Sequence, residues 1–91
     1  MVVMVLERVG ASLRGELTRW LLEAKTGVFV GTVGAEVRER LWRKVCEGKG
    51  SGGAVLAYRA ETAQGFALRA CGDPSRELVD FDGLQLVRIP D

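Results

Sequence analysis

The sequence contains no histidine. That absence removes Ser-His and Cys-His nucleophilic pairs and imidazole-based metal centres, so any hydrolytic chemistry has to rest on carboxylates. Cysteine is scarce: Cys46 and Cys71 are the only two, and they lack metal-ligand spacing. They read as two half-buried thiols of a cytoplasmic protein, Cys46 on a helix and Cys71 on a strand. Aromatic residues make up 7% of the chain, and proline occurs twice. Long apolar runs are missing as well. The opening run stops at Glu7, too short for a signal-peptide core and far short of the ~20 residues a membrane helix needs. The expectation is a cytoplasmic chain with no membrane segment. Neither sign of charge dominates, with a formal net charge of +1, so no overall field demands a nucleic-acid partner.

What the chain does have is apolar residues, 47% of 91. Residues 1–91 read as one domain. A chain this short buries only about 60–65% of the surface it exposes when unfolded, so its own core is marginal. The apolar surplus points to a homodimer. Charge is unevenly spread. Residues 1–50 carry nine Lys and Arg against six Asp and Glu, whereas residues 51–91 carry four against six. That asymmetry fits a basic amino-terminal face and an acidic carboxyl-terminal segment.

Residues 2–6 are Val-rich and apolar on both faces, which predicts a buried strand. An amphipathic helix is expected over residues 13–23, running on to a stop at Gly27. Ser12 would cap it, and Glu16 would lie in its first turn. Leu13, Leu17, Trp20, Leu21 and Ala24 form its apolar stripe, with Glu16 and Glu23 on one edge and Arg14 and Lys25 on the other. Leu22 points away from that stripe. A strand follows at 28–30 and a second helix at 35–47. In that helix Val37, Leu41 and Val45 face the core, flanked by Trp42 and Cys46. Glu36/Arg40, Glu39/Arg43 and Arg43/Glu47 make i, i+4 pairs on its wet side. Both tryptophans read as core residues. The glycines around residues 48–53 lack a Gly-Lys-Ser/Thr signature, so that stretch is a loop and not a phosphate cradle. Strands are expected at 54–60 and 66–71, and Asp82-Gly83 turns the chain into a last strand, 84–89. The fold class is α+β: a ferredoxin-like split βαβ sheet with two helices on one face.

Glu7 stands where a buried strand meets a loop. In a two-fold dimer packed through its sheets, two such carboxylates would approach the axis and offer magnesium a hard oxygen site. The simpler reading is an ion pair with Arg8, Arg38 or an arginine of a second copy. Arg14 and Lys25, eleven residues apart, would share one helix edge about 16 Å long, enough for several phosphates. Arg38 falls inside the apolar arc of the second helix and needs a carboxylate or phosphate partner. A single-stranded RNA module fits poorly, because Tyr58 and Phe66 are the only rings on the central strands.

Several segments carry a further signal by their order. They are the apolar run ending in Glu7, then Leu13-Arg14-Gly15-Glu16-Leu17-Thr18-Arg19-Trp20-Leu21-Leu22-Glu23, and then Gly27-Val28-Phe29-Val30-Gly31. Ala35-Glu36-Val37-Arg38-Glu39-Arg40-Leu41-Trp42, Gly65-Phe66 and Val79-Asp80-Phe81-Asp82-Gly83-Leu84-Gln85-Leu86-Val87 follow. Together they resemble the small CRISPR-associated adaptation protein, partner of the spacer integrase, in its type I-E subfamily. The resemblance implies a homodimer packed sheet to sheet, with the last strand crossing to the partner and residues 73–83 making the crossing. It implies an architectural subunit that bridges integrase dimers and holds a spacer duplex for insertion into the repeat array, without sequence preference. Basic residues at the positions of Arg14, Lys25 and Arg76 would hold the duplex backbone, while Ser12 and Glu36 replace two further basic positions. The wider family resembles metal-dependent endoribonucleases and carries aspartate at the position of Glu7, which makes magnesium-dependent phosphodiester hydrolysis the alternative activity. Residues 73–91 would then be a docking segment, with Leu84, Leu86, Val87 and Ile89 adding a strand to the partner.

Overall fold

The computed structural model describes residues 1–48 and 52–72 in full, together with the backbone of 77–81 and 84–88. In chain order the elements are β1 (Val2–Leu6), α1 (Ala11–Thr18), β2 (Leu22–Lys25), β3 (Val28–Gly31) and α2 (Ala35–Glu47), then β4 (Ala54–Arg59), β5 (Phe66–Cys71), β6 (Glu77–Phe81) and β7 (Leu84–Arg88). Five strands form an antiparallel sheet in the order β2-β3-β1-β4-β5, and β6 and β7 pair separately. Setting β5 aside, β1-α1-β2 and β3-α2-β4 interleave as the two halves of a split βαβ frame. The expected ferredoxin-like α+β architecture is therefore present, with β5 as an added edge.

Period-two alternation sorts the sheet into two faces. Val2, Met4, Leu6, Phe29, Ala54 and Leu56 point to one side and are buried there with Leu17, Leu21, Leu41, Trp42 and Val45. Both helices cover this face. The opposite face carries Val3, Val5, Val28, Val30, Val55, Ala57, Leu68 and Ala70 in register across four strands. It is apolar, among the described residues no helix lies on it, and Val5 is 44% exposed.

The helix expected to continue to Gly27 stops at Thr18. Its start also differs: Gly10 is the N-cap, no side chain caps the helix, and no acidic residue lies in the first turn, so Ser12 and Glu16 do not play the expected parts. The Thr18 hydroxyl donates back to the Arg14 carbonyl at 2.8 Å, an alternative to helix propagation for a β-branched residue. Leu22–Lys25 then pairs with β3 as a hairpin in which Lys25 opposes Val28. The two-residue turn Thr26-Gly27 needs Gly27 at φ +80, where a Cβ would also collide with the Leu6 carbonyl. Gly27 thus ends a strand and not a helix. Leu17 and Leu21 are buried in either conformation, so the helical stripe and the hairpin look alike in sequence. Trp20 and Ala24, assigned to that stripe, are exposed.

α2 matches the expected bounds, and Leu41, Trp42 and Val45 are its buried residues. Its glutamates do not form the expected i, i+4 ladder. Glu39 turns to Arg38 and Arg69, and Arg40 stacks over the Trp20 ring at 5.5 Å. The segment 73–83, expected to make the crossing to a partner, contains β6, whose Phe81 opposes Leu84 of β7. Among the described residues no helix is long and apolar enough to cross a membrane.

Candidate nucleic-acid interface

Arg14 and Lys25 do not share a helix edge, because Lys25 is on β2. The chain nonetheless brings them into one neighbourhood. Arg14 Nε donates to Glu23 Oε1 at 2.8 Å, and Glu23 lies two residues before Lys25 on the same strand. Glu23 Oε2 accepts from the Gly27 amide at 3.1 Å, so a single carboxylate fastens α1 to the hairpin turn. The Gly27 amide first, and then the Arg14 guanidinium, hold that carboxyl below the usual glutamate range. Glu23 and Arg14 were expected on opposite edges of one helix. Breaking the helix is what lets them meet.

Arg38 has the carboxylate partner its place in the apolar arc required. Its Nε donates to Glu39 Oε2 at 3.0 Å, and its guanidinium lies 3.9 Å over the Tyr58 ring. Arg69 of β5 also donates to Glu39, at 2.7 Å to Oε2. Arg69 first, and Arg38 second, lower the Glu39 carboxyl. On the neighbouring helix surface Lys44 Nζ reaches Glu16 at 2.6 Å, and that contact, helped by Arg19, lowers Glu16.

Arg14 and Arg38 share one design. Each is held at Nε by a glutamate, and among the described residues its two terminal nitrogens have no carboxylate. A guanidinium fixed at Nε presents a pre-aimed pair of donors, the geometry that matches phosphate oxygens. The sites stand over β2 and β4, three strand spacings apart, or roughly 14 Å across the sheet. Lys25 is exposed beside the first site. Arg76 lies outside the described residues, as does Ile89 of the docking segment. For Leu84, Leu86 and Val87 the backbone is described, in β7.

Glu7 is exposed at the end of β1, the central strand. Its amide donates to the Gly53 carbonyl at 3.0 Å, and its carboxylate lies against Gly52 at φ +62. Among the described residues it makes no ion pair with Arg8 or Arg38. No group of three or more metal-ligating side chains occurs among those residues either. A magnesium ion held here would need the carboxylate of a second copy, with substrate phosphates and water completing its shell.

Sequence reasoning gave Glu23, Glu39 and Tyr58 other roles and did not single out Arg69. Arg69 was the most findable, since alternation along β5 puts it on the helix-covered face with Ala67 and Cys71, where a cation needs a partner. The two cysteines are not separate thiols: Cys46 and Cys71 form a disulfide, with Cα atoms 5.7 Å apart. Residues 1–86, nearly the whole chain and all of the helix-and-sheet frame that carries these arginines, match the family described as CRISPR-associated protein (Cas_Cas2CT1978), and the chain belongs to that family of Cas2-type CRISPR-associated proteins.

Proposed function

We propose that this protein is an architectural DNA-binding subunit of the CRISPR spacer-acquisition complex, of the type I-E pattern. It is a cytoplasmic homodimer that bridges integrase dimers and holds the spacer duplex for insertion into the repeat array. The observation that carries this reading is the pair of Nε-anchored arginines, Arg14 and Arg38, with Lys25 exposed near the first. Such donors bind phosphate and read no base, which suits a subunit that must accept duplexes of any sequence. The apolar face, on which no helix lies among the described residues, supports the dimer, because a second copy would remove it from water. Two copies joined through that face would carry their helices, and with them the arginines, on the outside. Arg76 would add a further phosphate contact. Leu84, Leu86, Val87 and Ile89 would dock the integrase by strand addition.

The test is duplex binding and integration by the complex reconstituted with its integrase. Replacing Arg14, Lys25 and Arg38 by alanine should weaken binding alike for unrelated sequences. It should also flatten the slope of log K against log salt by roughly 0.9 for each phosphate no longer neutralised. An unchanged slope would overturn the reading. Deleting residues 84–91 should abolish co-purification with integrase.

The alternative is a magnesium-dependent endonuclease with Glu7 as the metal-binding carboxylate. Its support is the exposed position of Glu7 at the end of the central strand. Glu7→Ala separates the two readings. A scaffold keeps near-wild-type integration in the folded mutant. Magnesium-dependent cleavage of RNA or DNA by the wild type alone, abolished in the mutant, would put the nuclease first.

A further inference from the structure

The Cys46–Cys71 disulfide ties the last turn of α2 to the final residue of β5, across 25 positions of sequence. Its two ends sit in unlike surroundings. Cys46 is exposed and lines an open cleft of about 310 Å³ with Glu39, Trp42, Arg43 and Arg69. Cys71 is half-buried and packs against the core cluster. The cleft is charged in a definite sense. Among the described lining residues the carboxylate is Glu39, which is committed to Arg69 and Arg38. Arg43 is exposed and has no ion pair among the described residues, so the described lining, two arginines against one glutamate, is net positive.

We propose that this cleft is a thiol–disulfide exchange site, which admits an anionic low-molecular-weight thiol and directs it onto Cys46. Three observations converge on it: an open volume of small-molecule size, an exposed disulfide cysteine in its wall, and, in the same wall, an arginine with no ion pair among the described residues. The attacking thiolate forms a bond to Cys46 Sγ as the Cys46–Cys71 bond breaks, and the electron pair leaves on Cys71 as a thiolate. Arg69 stands two residues from Cys71 on the same face of β5, with its guanidinium paired to Glu39. A second thiolate then attacks the mixed disulfide, releasing the small-molecule disulfide and the Cys46 thiolate. A low-molecular-weight disulfide drives the same steps in reverse and restores the bond. Attack at Cys71 is disfavoured by its burial. An accessible disulfide facing small thiols exchanges with them, unlike one sealed in a core. Opening it frees the end of α2 from the strand that leads on to the β6–β7 hairpin.

The test treats the folded, oxidised full-length protein with 2-mercaptoethanesulfonate, and separately with neutral 2-mercaptoethanol. The freed thiol is trapped with a maleimide and both adducts are located by peptide mass. The small thiol should appear on Cys46 and the maleimide on Cys71. Arg43→Ala should slow the anionic thiol by about two- to fivefold, the range for one exposed charge contact, and leave the neutral thiol unchanged. Arg43→Lys, which keeps the charge, should restore the rate. Far-UV circular dichroism and thermal melts confirm that each variant is folded. The proposal is overturned by an adduct on Cys71, by equal slowing of both thiols, by reduction that occurs only in denaturant, or by failure of oxidised glutathione to form the bond in the folded protein.

Discussion

The two βαβ halves of the sheet were built to the same plan and anchored very differently. In the second half, α2 runs for 13 residues and buries Leu41, Trp42 and Val45. In the first, α1 runs for eight residues, has a glycine at its centre, and buries Leu17 alone. What α1 lacks in its own packing is supplied from outside: Glu23 reaches from β2 to Arg14, and Lys44 reaches from α2 to Glu16. A long helix with a three-residue anchor is specified locally. A short one with a single anchor depends on the strand that follows it.

Removing the anchor of the stronger half should have the largest effect. Leu41→Ala, at a side chain only 1% exposed, should cost about 2–5 kcal/mol in chemical denaturation. That is a large share of the stability of a domain this small. A loss below 1 kcal/mol would mean that α2 is not the anchor described. Gly27→Ala strikes the device that lets the weaker half work, the turn between β2 and β3. A positive φ and a collision with the Leu6 carbonyl should together cost about 1–3 kcal/mol. Thermal melts showing wild-type stability would refute the hairpin there. Gly15→Ala should narrow the gap between the halves. An added Cβ meets nothing within 4 Å, so restoring helix propensity in α1 should raise stability by about 0.5–1 kcal/mol.

The smallest effect concerns pH and touches both halves. Glu16, Glu23 and Glu39 all have folded-state carboxyls lowered from the ordinary value of 4.5. The unfolded chain therefore binds protons first as the solution is acidified. Their contribution is fully present above about pH 4.5 and is lost as pH falls through the lowered values. Melting temperature should hold from pH 7 to about 5 and decline below that. Glu23→Gln should shallow the decline, and an identical profile would show that the Glu23 pairing is idle.

Legibility followed the same divide. The 35–47 helix and the strands at 2–6 and 66–71 were read with their observed bounds, because burial, period and length all agreed. Residues 13–25 misled, since Leu17 and Leu21 satisfy a helical stripe and a helix-to-hairpin transition equally well. The decision between them lies in ladder bonds to β3 and in the collision Gly27 avoids with Leu6, both of which are long-range. At the candidate interface, the need of Arg38 for a partner was visible from its place on the helix. Which carboxylate answers it was not, because Glu39 is shared with Arg69, thirty residues away. The disulfide escaped for a related reason: its cysteines lie on different element types, and only the packing of α2 over β5 brings them together.

The position of β1 has a consequence for how the protein is made. The middle strand of the sheet is the first to be synthesised, and both of its neighbours come later, at Val28–Gly31 and Ala54–Arg59. At roughly 5–20 residues per second, translation from Leu6 to Arg59 takes about 3–11 s, during which a Val-rich segment waits without its second neighbour. A nascent chain arrested before residue 54 should therefore be held by chaperones and cut by proteases, while one arrested with residue 59 well clear of the ribosome should resist both.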